Sequence, residues 1–447
     1  MAAKKRKSGK SAKRGPGKGQ SGNPQLRARQ QGRESAGLPG QESRRSGSAD
    51  PGRRSWPWWP ESHARVLARV LAAEWPARLL DIEALSGQLA GDEFYERLNA
   101  PGPGTGLTPG GWLDALAEAA VEAMGADLAA DGKEWAKLWA FCCGLVGAEG
   151  GEELEAAAAV IAERGLTPVP GIPVPWYEPT AGAGVLMARD AYGARFLLVA
   201  PFSGPGQPAE PDHWYAWDLD WCVDGLVVAA GAYGSAADAL AEWRAAAGPS
   251  AAAELAPCPP ELGLRLLAPA RPDSLQATSV FGNEPAEFVR EIPRLSHRAG
   301  ALTAALGPLL ARTPSRLSAD TRDSAIEAFL DRNAANSADT RDQAAEALDL
   351  LLAEWGPDVP PDEGSFFACS PHRIQTCASI LRDSYEPDWV NLALSVLPGW
   401  TQWCASETSL DAEAAGRALA AARAEAAIPA SETRTIIEDE APFRRPE

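Results

Sequence analysis

The sequence predicts an α+β protein: mainly helical, with a small central antiparallel sheet plus helix and a C-terminal helical bundle. Three observations predict it. Apolar residues recur with the helical period over residues 55–165 and again over 285–428. Between them, over 183–270, the period switches to two, which is that of a strand. The first 54 residues have neither period. The length of 447 residues suits about three domains, and 45% hydrophobic with 23% charged residues is a globular composition. No apolar run reaches the roughly 18 residues of a membrane span, and no apolar segment follows the charged start MAAKKRKSGKSAKRG, so neither a membrane helix nor a secretory signal is expected. Seven cysteines, an odd number in a long chain, do not make a disulfide scaffold, and a reducing cytoplasm is the expected location.

Residues 1–54 carry fifteen basic residues against Glu34, Glu42 and Asp50, a net +12, whereas the remainder has 27 basic and 57 acidic residues, a net −30. Six of the eight lysines lie in the first eighteen residues. This segment is rich in Gly, Ser, Pro and Gln. Leu26 and Leu38 are its only large aliphatic residues beyond the initial Met. It lacks the apolar surface that offsets the entropy of ordering, and a disordered basic tail is expected. Flexible Lys and Arg exchange counterions on a phosphate backbone, so Lys4, Lys5, Arg6, Lys7, Lys10, Lys13, Arg14 and Lys18 are the candidate contacts to nucleic acid or another polyanion. The alternatives are docking of the tail on the acidic body and a solubilising arm.

The elements follow in order. Residues 55–165 read as a helical region. In SHARVLARVLAAEW, Val66, Leu67, Val70, Leu71 and Trp75 form one stripe, with Ser62 as N-cap and Pro76 as stop. Further helices fit Trp112–Met124, Glu134–Val146 and the segment ended by Gly165. Residues 166–182, with five prolines, read as a connector. Over 183–270 GVLMARD, ARFLLVAPF, HWYAWDLDWC and GLVVAAGAYG read as strands, and SAADALAEWRAAAG as a helix capped by Ser235. LGLRLLAPA reads as one more strand. From 285 to 428 seven helical segments follow. Ser370-Pro371 is an N-cap and first-turn pair. The words Ser-Ala-Asp-Thr-Arg-Asp at 318–323 and 337–342 read as a repeated helix start. Residues 429–447 read as a flexible tail.

Chemistry-bearing motifs are scarce. There are four histidines, and there is no P-loop, no H-E-x-x-H and no G-x-S-x-G. No motif implies a cofactor, and no metal site is assigned. Asp218 and Asp220, two apart on a strand, point the same way and could chelate a hard cation. The same pattern also describes the solvated face of a half-buried strand, and that reading is favoured. Cys369, His372, Cys377 and Cys404 are soft ligands without a standard zinc spacing. Cys142 and Cys143 read as packing residues. Trp214 falls on the strand face opposite Trp217 and Trp221, so the three cannot form one stacking platform, and core packing is expected for the sixteen tryptophans.

Residues 190–248, with DAYGARFLLVAPF, WYAWDLDWC and GAYGSAADALAEWRAAAG, resemble segments of uncharacterised cytoplasmic proteins of high-GC Gram-positive bacteria. So do residues 366–410, through the helix start Ser370–Arg373 and the LPxWxxW pattern at Leu397–Trp403. The resemblance implies a bacterial cytoplasmic origin and carries no site residue. The functional expectation is therefore a non-enzymatic cytoplasmic binding or regulatory protein with a basic tail. Two alternatives stand beside it: a metal-dependent enzyme using Asp218 and Asp220, and a protein–protein adaptor whose tail docks on its own body.

Overall fold

The computed structural model describes residues 58–76, 78–98, 109–146, 151–166, 180–203, 211–222, 225–270, 286–307, 319–333, 338–356 and 360–430. The expected basic tail, nearly all of the connector and all but the first two residues of the C-terminal tail lie outside these residues.

The N-terminal region contains α1 (Trp59–Ala72), α2 (Leu79–Leu98), α3 (Pro109–Ala129), α4 (Trp135–Val146) and α5 (Gly151–Glu163). Helix α1 begins three residues before the expected cap, because Pro60 in its first turn supplies a preset φ. Ser62 is instead buried inside the helix, where its hydroxyl accepts from Arg65 Nη2 at 2.9 Å and from Arg97 Nε at 3.0 Å. Helix α2 lies in the region read as helical but was not marked as a separate helix by the sequence. Ser86, Gly87 and Gly91 interrupt its apolar stripe, and they do so for a packing reason given below.

The central sheet consists of β1 (Thr180–Ala181), β2 (Leu186–Arg189), β3 (Arg195–Ser203), β4 (His213–Asp220), β5 (Leu226–Tyr233) and β6 (Ala256–Pro257). Its order is β5-β4-β3-β2-β6, with β1 also paired to β3, and every pairing is antiparallel. The four longer strands form the predicted meander. In the β3–β4 register Leu198 lies opposite Trp217, and Arg195 opposite Asp220. Helix α6 (Ala236–Ala247) follows, and its Ser235 cap accepts from the Asp238 N–H as predicted. The segment read as a last strand is a helix, α7 (Pro260–Leu266). A short apolar run fits either element, and Pro260 in its first turn favours the helix.

Both faces of the sheet are covered. Phe196, Leu198, Ala200 and Phe202 join Tyr215, Trp217 and Leu219 in a large core built with α1–α5, α7 and a long helix, α8 (Ala286–Leu306). The other face carries Ala188, Leu197, Val199 and Ala216, and packs on Ala239, Leu240 and Trp243 of α6. This explains why β3 is buried along nearly its whole length. It also corrects the solvated-face reading of Asp218 and Asp220, since both are buried.

The remaining helices are α9 (Ala319–Asn333), α10 (Ala338–Leu352), α11 (Pro371–Ser384), α12 (Pro387–Glu407) and α13 (Ala412–Ala427). The two copies of Ala-Asp-Thr-Arg-Asp open α9 and α10, as a repeated helix start should. Ser370 caps α11 by accepting from the Arg373 N–H, with Pro371 in the first turn. Trp355 and Trp400 are fully buried here, with ring centroids 6.2 Å apart.

Candidate functional site

The sheet face beside α8 carries a polar chain that runs from the exposed Asp212 into the core. Asp212 Oδ1 lies 2.7 Å from His213 Nδ1, and Arg298 Nε donates to His213 Nε2 at 3.0 Å. Arg298 Nη2 then meets Glu83 Oε2 at 2.7 Å, and His297 Nδ1 lies 3.3 Å from Glu83 Oε1. A guanidinium donates only, so His213 Nε2 must be the lone-pair nitrogen and Nδ1 carries the proton toward Asp212. Burial, and then the neighbouring Arg298 charge, lowers the His213 pKa. Burial alone would raise the Glu83 pKa, but Arg298 and His297 outweigh it and hold the carboxyl at about 2. The lone pair that a general base would need on His213 is thus already filled. This chain holds α2, α8 and the sheet together. Nearby, Tyr215 donates to Glu291 Oε1 at 2.7 Å and Trp217 Nε1 to the Leu295 carbonyl at 3.3 Å.

A second polar centre sits where the end of β4 meets the start of α11. Arg373 is fully buried and donates to four backbone carbonyls: Trp221 at 2.6 Å, Cys222 at 2.9 Å, Ser365 at 2.6 Å and Ala368 at 3.0 Å. Desolvation lowers the pKa of this arginine. The β2–β3 turn contributes Asp190, whose Oδ1 accepts from the Ala194 N–H at 2.8 Å and the Arg195 N–H at 3.0 Å. Burial pushes its carboxyl up to about 6, the two N–H donors opposing and the Asp220 charge adding to the rise.

The D-x-D pair divides here. Asp218 Oδ1 accepts from Arg195 Nε at 2.8 Å and from Trp243 Nε1 at 3.1 Å, while Oδ2 meets Arg195 Nη2. Both of its oxygens are engaged, so the two aspartates do not jointly offer themselves to a hard cation. Asp220 turns elsewhere. Its Oδ1 accepts from the Cys222 N–H at 2.7 Å, and its Oδ2 lies 3.6 Å from His372 Nε2. Cys222 Sγ lies 3.3 Å from Ser370 Oγ. The ligand atoms of Asp220, Cys222 and His372 all lie within 4.8 Å of one another.

The soft-ligand set read from the sequence does not converge. His372 faces Asp220, while the Cys377 thiol donates to the Leu351 carbonyl at 3.8 Å in the bundle interior. Cys369, Cys377 and Cys404 are all buried, and burial raises each thiol pKa. Cys142 and Cys143 are buried packing residues of α4. Trp217 and Trp221 join the large core, whereas Trp214 packs on the α6 side. His63 lies against Trp112 with ring centroids 4.9 Å apart, and burial lowers its pKa. Lys4 to Lys18 lie outside the described residues.

Sequence reasoning did not single out Cys222. D-x-D-x-C, read as one continued strand, places Asp220 and Cys222 on the same side, whereas β4 ends at Asp220 and Cys222 lies two residues past it. It could not show that His372, 150 residues later, arrives beside them. Comparison with protein-family models, with curated proteins and with solved structures finds no match.

Proposed function

We propose that the protein is a non-enzymatic, cytoplasmic binding protein whose basic N-terminal segment engages nucleic acid. The observation that carries this reading is the charge division. Residues 1–54 hold +12 and the rest of the chain −30. Such a segment supplies sequence-independent affinity for a polyanion by releasing its counterions. The acidic body repels the same polyanion, which confines contact with it to the arm. The polar groups of the body lend support. His213 is filled at both ring nitrogens and Asp218 at both oxygens, which leaves them to structure rather than to turnover. No helix among the described residues is long and apolar enough to cross a membrane.

The test is binding of duplex DNA and of RNA by the full chain and by a chain lacking residues 1–54. If Lys4 to Lys18 engage eight phosphates, log K against log salt falls with a slope near −7, from roughly −0.9 per contact. Deletion should abolish binding at low salt. Unchanged binding after deletion overturns the proposal. Charge complementarity favours a second reading, in which the arm docks on its own body. In that case small-angle scattering of the protein alone would find it expanding as salt rises.

A further inference from the structure

We propose that Asp220, Cys222 and His372 form a binding site for a borderline-soft divalent metal of the zinc class, with a fourth position left to water. The inference is independent of the arm.

The donor set decides the class. One imidazole, one thiolate and one carboxylate suit zinc and its neighbours, whereas magnesium and calcium take oxygen ligands. The geometry then fits. Bond lengths of roughly 2.0–2.3 Å with tetrahedral angles put ligand atoms about 3.3–3.8 Å apart. Asp220 Oδ2 and His372 Nε2 already stand 3.6 Å apart, and no pair in the triad exceeds 4.8 Å. The remaining closure is a side-chain rotation, and His372 is free to make it, because its side chain is 42% exposed.

The backbone prepares the other two ligands. Asp220 ends β4, and Cys222 lies two residues past the strand, where its N–H is held by the Asp220 carboxylate. The Cys222 N–H holds Asp220 Oδ1 at 2.7 Å, which leaves Oδ2 directed at the imidazole. The chain carrying Cys222 is itself anchored, through its carbonyl, by Arg373. His372 is the second residue of α11, a helix fixed by its Ser370 cap and by Pro371. The site therefore has two buried ligands where β4 ends and one accessible ligand at its mouth, which gives the metal a route in.

Charge balance also fits. On binding, the Cys222 thiol loses its proton to solvent and the S–metal bond forms without any change of oxidation state. Thiolate and carboxylate then cancel the two charges of the cation. The neighbouring Arg373 guanidinium opposes a cation, but four of its five N–H groups are engaged by four backbone carbonyls. Ser370 Oγ, 3.3 Å from Cys222 Sγ, is a hydrogen-bond partner for the sulfur or for a metal-bound water.

The experiment is a titration of the metal-free full chain with Co²⁺, followed by displacement with Zn²⁺. One equivalent of Co²⁺ should give a near-ultraviolet thiolate-to-metal charge-transfer band and visible bands of tetrahedral intensity, both lost on adding Zn²⁺. His372→Ala is the primary variant, because its side chain is exposed enough to be removed without disturbing the fold. It should weaken Zn²⁺ by more than the roughly 10–100-fold that outer-shell changes cost. Cys222→Ser should abolish the charge-transfer band. Cys377→Ala, in the bundle interior, should leave the spectrum unchanged. No thiolate band at stoichiometric Co²⁺, or a band and a Zn²⁺ affinity unaltered in His372→Ala, overturns the site.

Discussion

At the scale of single residues, Asp190 illustrates how burial can dominate a titration. Its carboxyl sits at about 6 in the folded protein against 3.8 for a free side chain. Between these values the folded state keeps a proton that the unfolded chain has released. Stability therefore falls as pH climbs from about 4 to about 6, and is flat above that. About two pH units correspond to at most ~3 kcal/mol. Asp190→Asn retains the oxygen that accepts from Ala194 and Arg195 and removes the charge. The variant should be more stable than the parent at pH 7.5, by about 1–3 kcal/mol, with the gap closing near pH 4. Urea midpoints at the two pH values measure it. Equal midpoints at pH 7.5 would mean that Asp190 bears no buried charge there.

Residue identity and residue placement were unequally legible. Alternation in the sequence put Cys222 on one face with Asp220, although β4 ends at Asp220, and Ser235 and Ser370 announced their caps by spacing. The burial of Asp218 and Asp220 was not legible. Alternation says that two faces differ and does not say whether the polar face meets water or α6 and the start of α11. That depends on where elements 20 to 150 residues away return to the sheet. The pairing of His372 with Asp220 was hidden for the same reason.

At the scale of elements, helix α2 lies in the region read as helical, but its interior glycines interrupt the apolar stripe that would mark it as a separate helix. They are contact points. A Cβ built at Gly87 would lie 2.1 Å from the Arg290 carbonyl oxygen of α8, and one at Gly91 3.1 Å from Arg290 Cα. At Gly144 of α4 a Cβ would lie 2.2 Å from Ser86 Oγ. Small residues one turn apart thus let α8 lie backbone-to-backbone on α2. Two effects compete in Gly87→Ala. Helix propensity gains about 1 kcal/mol. Against it, the new methyl overlaps backbone rather than a flexible side chain, and such overpacking costs about 1–3 kcal/mol or more. Net destabilisation is expected, read as a lowered urea midpoint. Gly125→Ala serves as the control, since nothing lies within 4 Å of its added Cβ. That variant should be neutral or more stable.

At the scale of the whole molecule, the sheet is joined to its two helical neighbours by different physics. Toward α1–α5 and α8 the contact is a continuous apolar core threaded by the Glu83–Arg298–His213 chain. Toward the C-terminal bundle the apolar contact is small, made by Ala194, Cys222 and Ala368. Polar bonds carry the rest. Arg189 makes a two-pronged pair with Asp362 at 2.9 and 3.2 Å, and Tyr192 accepts from Arg417 Nε at 3.1 Å. Arg373 bridges the two sides, holding Trp221 and Cys222 with one part of its guanidinium and Ser365 and Ala368 with the other. A small, polar contact of this kind is what permits neighbouring units to separate.

Arg373→Met tests that division. It fills much of the same volume and leaves four buried carbonyls without their donor, at a cost of about 3–5 kcal/mol. The loss falls on the contact and not on either core. Calorimetry of the parent should find the sheet and bundle melting together, and the variant should split into two transitions, the lower one belonging to the bundle. Near-ultraviolet circular dichroism identifies that transition, because Trp355, Trp400 and Trp403 lie in the bundle and Trp112, Trp139 and Trp217 in the large core. A single transition shifted downward would mean that the remaining contacts, Arg189–Asp362 foremost, suffice to make the two unfold as one.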